Sequence, residues 1–180
     1  MRNIFQSVLI SLDGVVADPG PWAMPYFTEE SGKDALAQLE RSDAMLMGRT
    51  TYADLAARWR NDSGPFAQRM AAIPKYVFSS TLREPLWSST TIVRGDPVAE
   101  VARLKDDGDG DLTTYGYGRL ARTLLEAGLV DEMMLSIHPV VLGGSAPRLE
   151  SPPLGLTLSG VVPRTSGVVV ASYRVGRVGA

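Results

Sequence analysis

The stretch from Asp111 to His138 constrains the fold most, because it reads as strand, glycine turn, helix and strand in unbroken succession. Leu112 to Tyr115 has the β-branched and aromatic content of a buried strand. Gly116 and Gly118 follow, and glycine admits backbone angles that a Cβ forbids, so the chain can turn sharply there. Leu120, Leu124 and Leu125 then recur at helical spacing and give the next segment one apolar face. Gly128 stands where a left-handed C-cap ends a helix, and Met133 to His138 resumes as strand. A tight glycine turn feeding a helix leaves backbone N–H groups directed outward, suited to an anion such as a pyrophosphate.

The rest of the chain repeats that alternation. Ile4 to Leu12 is apolar and β-branched, as expected of a strand in the middle of a sheet. It runs into S-L-D-G-V-V-A-D-P-G-P-W, a glycine- and proline-rich loop. Asp13, Asp18 and Trp22 make this loop polar and locally rigid, which suits a segment facing a substrate. Lys33 to Arg41 predicts a helix with Leu36 and Leu39 inward, and Ala44 to Met47 a short buried strand. Gly48-Arg49-Thr50-Thr51-Tyr52 opens a helix running to about Trp59. Threonine there is a good N-cap, and Arg49 adds positive charge where the helix dipole already favours anions. Further elements are expected at Pro65 to Ala72 (helix), Lys75 to Ser79 (strand), Thr90 to Arg94 (strand) and Val98 to Lys105 (helix). Two terminal strands, Leu156 to Val162 and Val168 to Val175, complete the set, and the Gly176–Ala180 tail is expected to fray. The pattern predicts one α/β domain over residues 1–180, with a mostly parallel central sheet, flanking helices and antiparallel C-terminal strands.

Composition removes several classes of function. Net charge is −2 with no basic block, so nucleic acid is not an expected partner. The chain has no cysteine and one histidine, His138, which excludes thiolate chemistry, redox pairs and multi-histidine metal sites. No metal site is expected. Asp106 to Asp111 (D-D-G-D-G-D) lacks the glutamate at position twelve of a calcium loop, where Tyr117 stands, and reads as a solvated turn. His138, in a buried strand just before Pro139, is expected to be structural. There is no run of apolar residues long enough to span a membrane, so a cytoplasmic location is the expectation.

Gly116 to Ala121 (G-Y-G-R-L-A) fits the dinucleotide fingerprint G-x-G-x-x-G/A. Its place is wrong for a Rossmann fold, where the fingerprint occupies the first βα turn. No acidic residue about 20 positions onward ends the following strand, either. A glycine turn with no ligand therefore remains open on this motif alone. Arg49-Thr50 and Ser79-Ser80-Thr81 also fall at strand ends, where open α/β sheets bind ligands. Arginine and hydroxyls beside an adenosine 2′-phosphate would favour NADP over NAD. One charge-assisted hydrogen bond is worth roughly 1.5–3 kcal/mol, about ten- to a hundredfold in affinity.

Five segments in order carry a resemblance: S-L-D-G-V-V-A (11–17), L-M-G-R-T-T-Y (46–52), K-Y-V-F-S-S-T-L (75–82), G-Y-G-R-L-A-R-T-L-L-E-A-G-L-V-D-E (116–132) and H-P-V-V-L-G (138–143). Together they resemble the dihydrofolate-reductase-like family typified by the C-terminal reductase domain of bacterial riboflavin biosynthesis proteins. The resemblance implies NADPH as cofactor, a homodimer, and hydride transfer to a small heterocyclic (pterin- or pyrimidine-like) or carbonyl substrate. It implies that Gly48, Arg49 and Thr50 meet the cofactor phosphates. Ser79, Ser80 and Thr81 would lie by the adenosine ribose and its 2′-phosphate. Gly116, Tyr117, Gly118, Arg119 and Leu120 would wrap the pyrophosphate, and Leu12, Asp13 and Gly14 would flank the nicotinamide and substrate. Asp13 is the leading candidate for orienting substrate or relaying a proton, with Trp22, Glu29 and Glu30 as weaker substrate-side candidates. Two departures stand out. Tyr117 occupies a position where the family commonly has serine, so its ring either folds outward or crowds the pyrophosphate. The zinc deaminase domain of the riboflavin members is absent from these residues. The alternative reading is a dimeric module that holds NADP or a related nucleotide without turnover.

Overall fold

The computed structural model describes residues 1–178; the last two positions of the tail expected to fray lie outside the described residues. Eight strands form one sheet: β1 (Ile4–Ser11), β2 (Ser42–Gly48), β3 (Lys75–Phe78), β4 (Thr90–Val93), β5 (Asp111–Tyr115), β6 (Glu132–His138), β7 (Gly155–Pro163) and β8 (Val169–Gly176). Their order is β4-β3-β2-β5-β1-β6-β8-β7. Strands β1 to β6 pair in parallel, whereas β8 pairs antiparallel with both β6 and β7. The sheet is thus mixed and mostly parallel, with the antiparallel C-terminal strands that the sequence pattern predicts.

Helices cover both faces, so the inner strands must be apolar on both sides. Ile4, Leu46, Leu112 and Met133 pack with Val101 and Leu104 of helix α5 (Pro97–Asp106) and Leu124 and Leu125 of α6 (Arg119–Glu126). On the opposite face Met45, Met47 and Val77 pack with Leu39 of α2 (Glu29–Arg41), Tyr52 and Ala56 of α3 (Arg49–Trp59), and Met70 of α4 (Pro65–Ala72). Helix α6 ends as its glycine predicts: Gly128 has φ +66°, its N–H bonds the Leu125 carbonyl, and the Leu129 N–H bonds Leu124.

Three local expectations need correction. The loop after β1 is not irregular throughout, since it holds a four-residue helix α1 (Gly20–Ala23) and a 3-10 turn at Met24–Tyr26. Helix α2 starts four residues before Lys33, because Thr28 and Ser31 form a reciprocal capping box: Thr28 Oγ1 accepts from the Ser31 N–H and Ser31 Oγ from the Thr28 N–H, each at 3.3 Å. Finally, Gly48 caps α3; Thr50 lies inside the first turn and makes no cap.

Parallel pairing brings the C-terminal ends of six strands to one edge of the sheet, and Leu12, Gly48, Ser79, Gly116 and Pro139 all emerge there. Among the described residues no helix is long and apolar enough to cross a membrane.

Candidate functional site

The turn after β5 sits at the centre of that edge. Ser7 and Tyr115 are partners in the β1–β5 register, and the Gly116 N–H donates to the Ser7 carbonyl at 3.0 Å. Gly116 has φ +76°, which favours glycine, and a Cβ there would lie 3.1 Å from Thr51 Oγ1. The first turn of α3 therefore rests against the β5 turn, and the structure brings Gly48–Thr51 and Gly116–Leu120 together. Both helices begin on a glycine, Gly48 or Gly118, with no side-chain cap and open space where a Cβ would project. Helices α2 and α5, by contrast, are capped by Thr28 and Asp96. Uncapped helix N–H groups of this kind could cradle an anion. Arg49 and Arg119, the first residues of the two helices, are exposed beside them.

The Ser79–Thr81 segment leaves β3 next to β4, with the Ser79 N–H on the Val93 carbonyl at 3.0 Å. Ser79 Oγ accepts from the backbone N–H groups of Thr81 (3.2 Å) and Leu82 (2.9 Å), which closes a tight turn. Arg94, just beyond β4, donates to the carbonyls of Ser80 (3.1 Å) and Leu82 (2.9 Å) and so places a cation at this turn. Sequence reading missed Arg94. The available signal was an arginine closing an apolar strand run, T-T-I-V-R, as Arg49 does after A-M-L-M-G.

At the end of β1 the loop Leu12–Gly14 is fixed by long-range contacts. Asp13 Oδ1 accepts from Ser11 Oγ (2.7 Å) and the Leu142 N–H (3.1 Å), while Oδ2 accepts from the Gly143 N–H (2.9 Å) and Arg148 Nη2 (3.4 Å). The Ser11 hydroxyl, then the two backbone N–H groups, hold the Asp13 carboxyl well below the usual carboxylate range. A group ionised so firmly, with both oxygens engaged, suits orientation of its loop and not donation of a proton. The strap Pro147–Leu149 zips onto the same loop: Val16 N–H to the Pro147 carbonyl, Leu149 N–H to Gly14, and Arg148 Nε to Asp13. Leu12 leaves its side chain exposed over this edge.

The remaining candidates lie further out. Trp22 donates to the Ala17 carbonyl at 3.1 Å and sets its ring edge-on against His138, 5.4 Å between centroids; Tyr26 does the same at 5.9 Å. His138 is buried with Nδ1 2.8 Å from the Ser136 carbonyl, and burial lowers its pKa, so it is a neutral, structurally held ring at pH 7. Glu29 pairs with Lys33 at 2.7 Å, and Glu30 with Arg164 of the β7–β8 turn at 2.7 Å, rather than with Asp13 or its partners. Tyr117 is half-buried. Its ring packs beside Val8, Ile10 and Val16, and its hydroxyl donates to the Glu150 carbonyl at 2.6 Å. With Val16, Arg122, Pro147, Arg148 and Glu150 it lines a cavity of about 280 Å³ beside the cradle. No group of three acidic or histidine side chains among the described residues could hold a metal ion.

The RibD C-terminal domain family profile matches residues 2–170. The uncharacterized protein YyaP of Bacillus subtilis is 34% identical over 183 residues, spanning 96% of this chain and 94% of that protein. The crystal structure of a Shewanella sp. protein named for riboflavin biosynthesis superposes with a TM-score of 0.75 at 24% identity, covering 97% of this chain and 99% of the other. RibD of Acinetobacter baumannii gives 0.72 at 16% identity; the match covers 98% of this chain and 59% of that longer one. At these identities the two solved structures speak to the fold alone.

Proposed function

We propose a function from one premise: the chain belongs to the RibD C-terminal domain family. We infer that it is an NADPH-dependent reductase acting on a small heterocycle of pyrimidine or pterin type, or on a related carbonyl compound. The observation that carries this reading is the meeting of two uncapped glycine-led helix N-termini at one sheet edge, flanked by the Arg94-braced serine turn. Gly48, Arg49 and Thr50 would hold cofactor phosphate. Ser79, Ser80 and Thr81, with Arg94, would meet the ribose and its 2′-phosphate. The N–H groups from Tyr117 to Leu120 would hold the pyrophosphate, while the Tyr117 ring packs against Val8, Ile10 and Val16 and its hydroxyl is tied to the Glu150 carbonyl. NADPH, when bound, supplies a hydride. Leu12, Asp13 and Gly14 would align the nicotinamide and substrate, with Asp13 fixing the loop and not supplying the proton. Trp22 would wall the substrate side. Glu29 and Glu30, engaged in ion pairs, would act only by holding α2 in place.

A homodimer fits the open edge. Strand β7 has no charged residue, and Leu156, Leu158, Val161 and Val162 are exposed along it. An uncharged apolar edge strand is a pairing liability unless a second copy covers it. We place the protein in the cytoplasm, where NADPH is available.

The engaged state of Asp13 favours one rival: an NADP-binding module without turnover. Thermal shifts with NADPH and NADH, followed by NADPH oxidation against pyrimidines, pterins and small carbonyl compounds, separate the readings. At a hundred times the dissociation constant, NADPH should add about 2.7 kcal/mol of stability. Oxidation with any member of the panel refutes the rival, and no stabilisation by NADPH refutes both.

A further inference from the structure

Gln6 breaks the pattern of the strand it occupies. Ile4, Val8 and Ile10, its neighbours on the same face of β1, are apolar and buried, and Gln6 is 0% exposed among them. Its Nε2 donates to the carbonyl of Gly116 and lies 3.4 Å from that of Ser7. Both of these neighbours are acceptors, so the amide must present its NH₂ to them, which settles its orientation. Its Oε1 is left buried without a donor among the described residues. An apolar side chain would suit the packing better, and a buried unsatisfied acceptor calls for an explanation other than stability.

We propose that Gln6 is a positioning residue that sets the peptide plane of the anion cradle. The Gly116–Tyr117 peptide is planar and trans, so its C=O and N–H point to opposite sides. By holding the Gly116 carbonyl inward, Gln6 would turn the Tyr117 N–H to the opposite side of the peptide, away from the sheet. The Gly116 N–H, fixed on Ser7, anchors the same turn from its other end. The ligand served is the pyrophosphate of a dinucleotide, and this inference rests on the NADPH-binding reading above.

The test compares Gln6→Met, which keeps the side chain's length and supplies no donor, with the unaltered protein. NADPH and reduced nicotinamide mononucleotide, which has no pyrophosphate, are each titrated by fluorescence. The expected result is a roughly tenfold weaker Kd for NADPH, a change of less than about twofold for the mononucleotide, and a melting temperature that holds or rises. An equal Kd for NADPH in the two proteins overturns the role of Gln6 and leaves the reductase reading intact. An unaltered protein that binds no NADPH overturns both. If Gln6→Met does not fold, hydrogen exchange of the unaltered protein decides: NADPH should slow exchange at the Tyr117 amide, and an unchanged rate there refutes the proposal.

Discussion

Replacing Tyr52 with phenylalanine tests how the cradle is held in place. Tyr52 lies in the first turn of α3 and is 0% exposed. Its hydroxyl oxygen accepts from the N–H groups of Leu86 (2.7 Å) and Trp87 (3.0 Å) and shares a hydrogen bond of 2.9 Å with Thr90 Oγ1. One atom thus ties the start of α3 to β4 and to the segment before it. Phenylalanine keeps the edge-on contact with Trp87, 5.5 Å between centroids, and deletes only the oxygen. The buried Trp87 N–H then lacks its acceptor, at about 1–3 kcal/mol, while the more exposed Leu86 N–H can turn to water and loses about 0.5–1 kcal/mol. Together these give a loss of about 1.5–4 kcal/mol. Unfolding entropy for a chain of this size is roughly 0.4 kcal/mol/K, so the melting temperature should fall by about 4–10 °C. Differential scanning calorimetry measures this, with Thr90→Val as a control expected to lose less than half as much. A fall below about 2 °C for Tyr52→Phe would show that the hydroxyl does not hold α3 as described.

Other consequences follow from the same geometry. Gly118→Ala places a Cβ in open space at φ −134° and should leave the melting temperature within about 2 °C while weakening NADPH at least fivefold in a titration; unchanged affinity would remove Gly118 from the cradle. Gly116→Ala, at φ +76° and against Thr51, should instead lower stability by about 1–2 kcal/mol in urea unfolding, and a neutral result would contradict the turn geometry. Arg94→Gln should weaken NADPH about tenfold and leave NADH unchanged if Arg94 reads the 2′-phosphate. Because the folded pKa of Asp13 lies below its unfolded value, its contribution to stability is complete above about pH 5 and is lost as pH falls through about 4 and below. The advantage of the unaltered protein over Asp13→Asn in urea midpoint should therefore shrink on acidification; a constant gap would mean that the carboxylate is not held ionised.

The sheet was legible because buried strands such as Ile4–Ser11 and Asp111–Tyr115 announce themselves by β-branched and apolar runs, and glycines at 116, 118 and 128 mark the turns between them. The start of α2 was hidden because its capping box uses Ser31 in the place where glutamate or glutamine gives the usual signal. The site was legible as segments but not as contacts. Asp13 meets Leu142 and Gly143 about 130 residues away, Arg94 grips carbonyls that no side-chain pattern reveals, and Gln6 reads as an ordinary strand residue until the Gly116 carbonyl stands over it. Local sequence carries backbone preference, whereas these contacts depend on strand order, which emerges only when the sheet assembles. The direction of the Tyr117 ring was undecidable for the same reason: its partner, the Glu150 carbonyl, lies 33 residues downstream.

A crystal structure of the protein with NADPH bound tests the central claim most directly. The account predicts the pyrophosphate within hydrogen-bonding reach of the N–H groups from Tyr117 to Leu120, and the 2′-phosphate at the Ser79–Thr81 turn beside Arg94. Dinucleotide density seated instead in the cavity between Tyr117 and the Pro147–Glu150 strap, or at any site away from the C-terminal edge of the parallel strands, would contradict it.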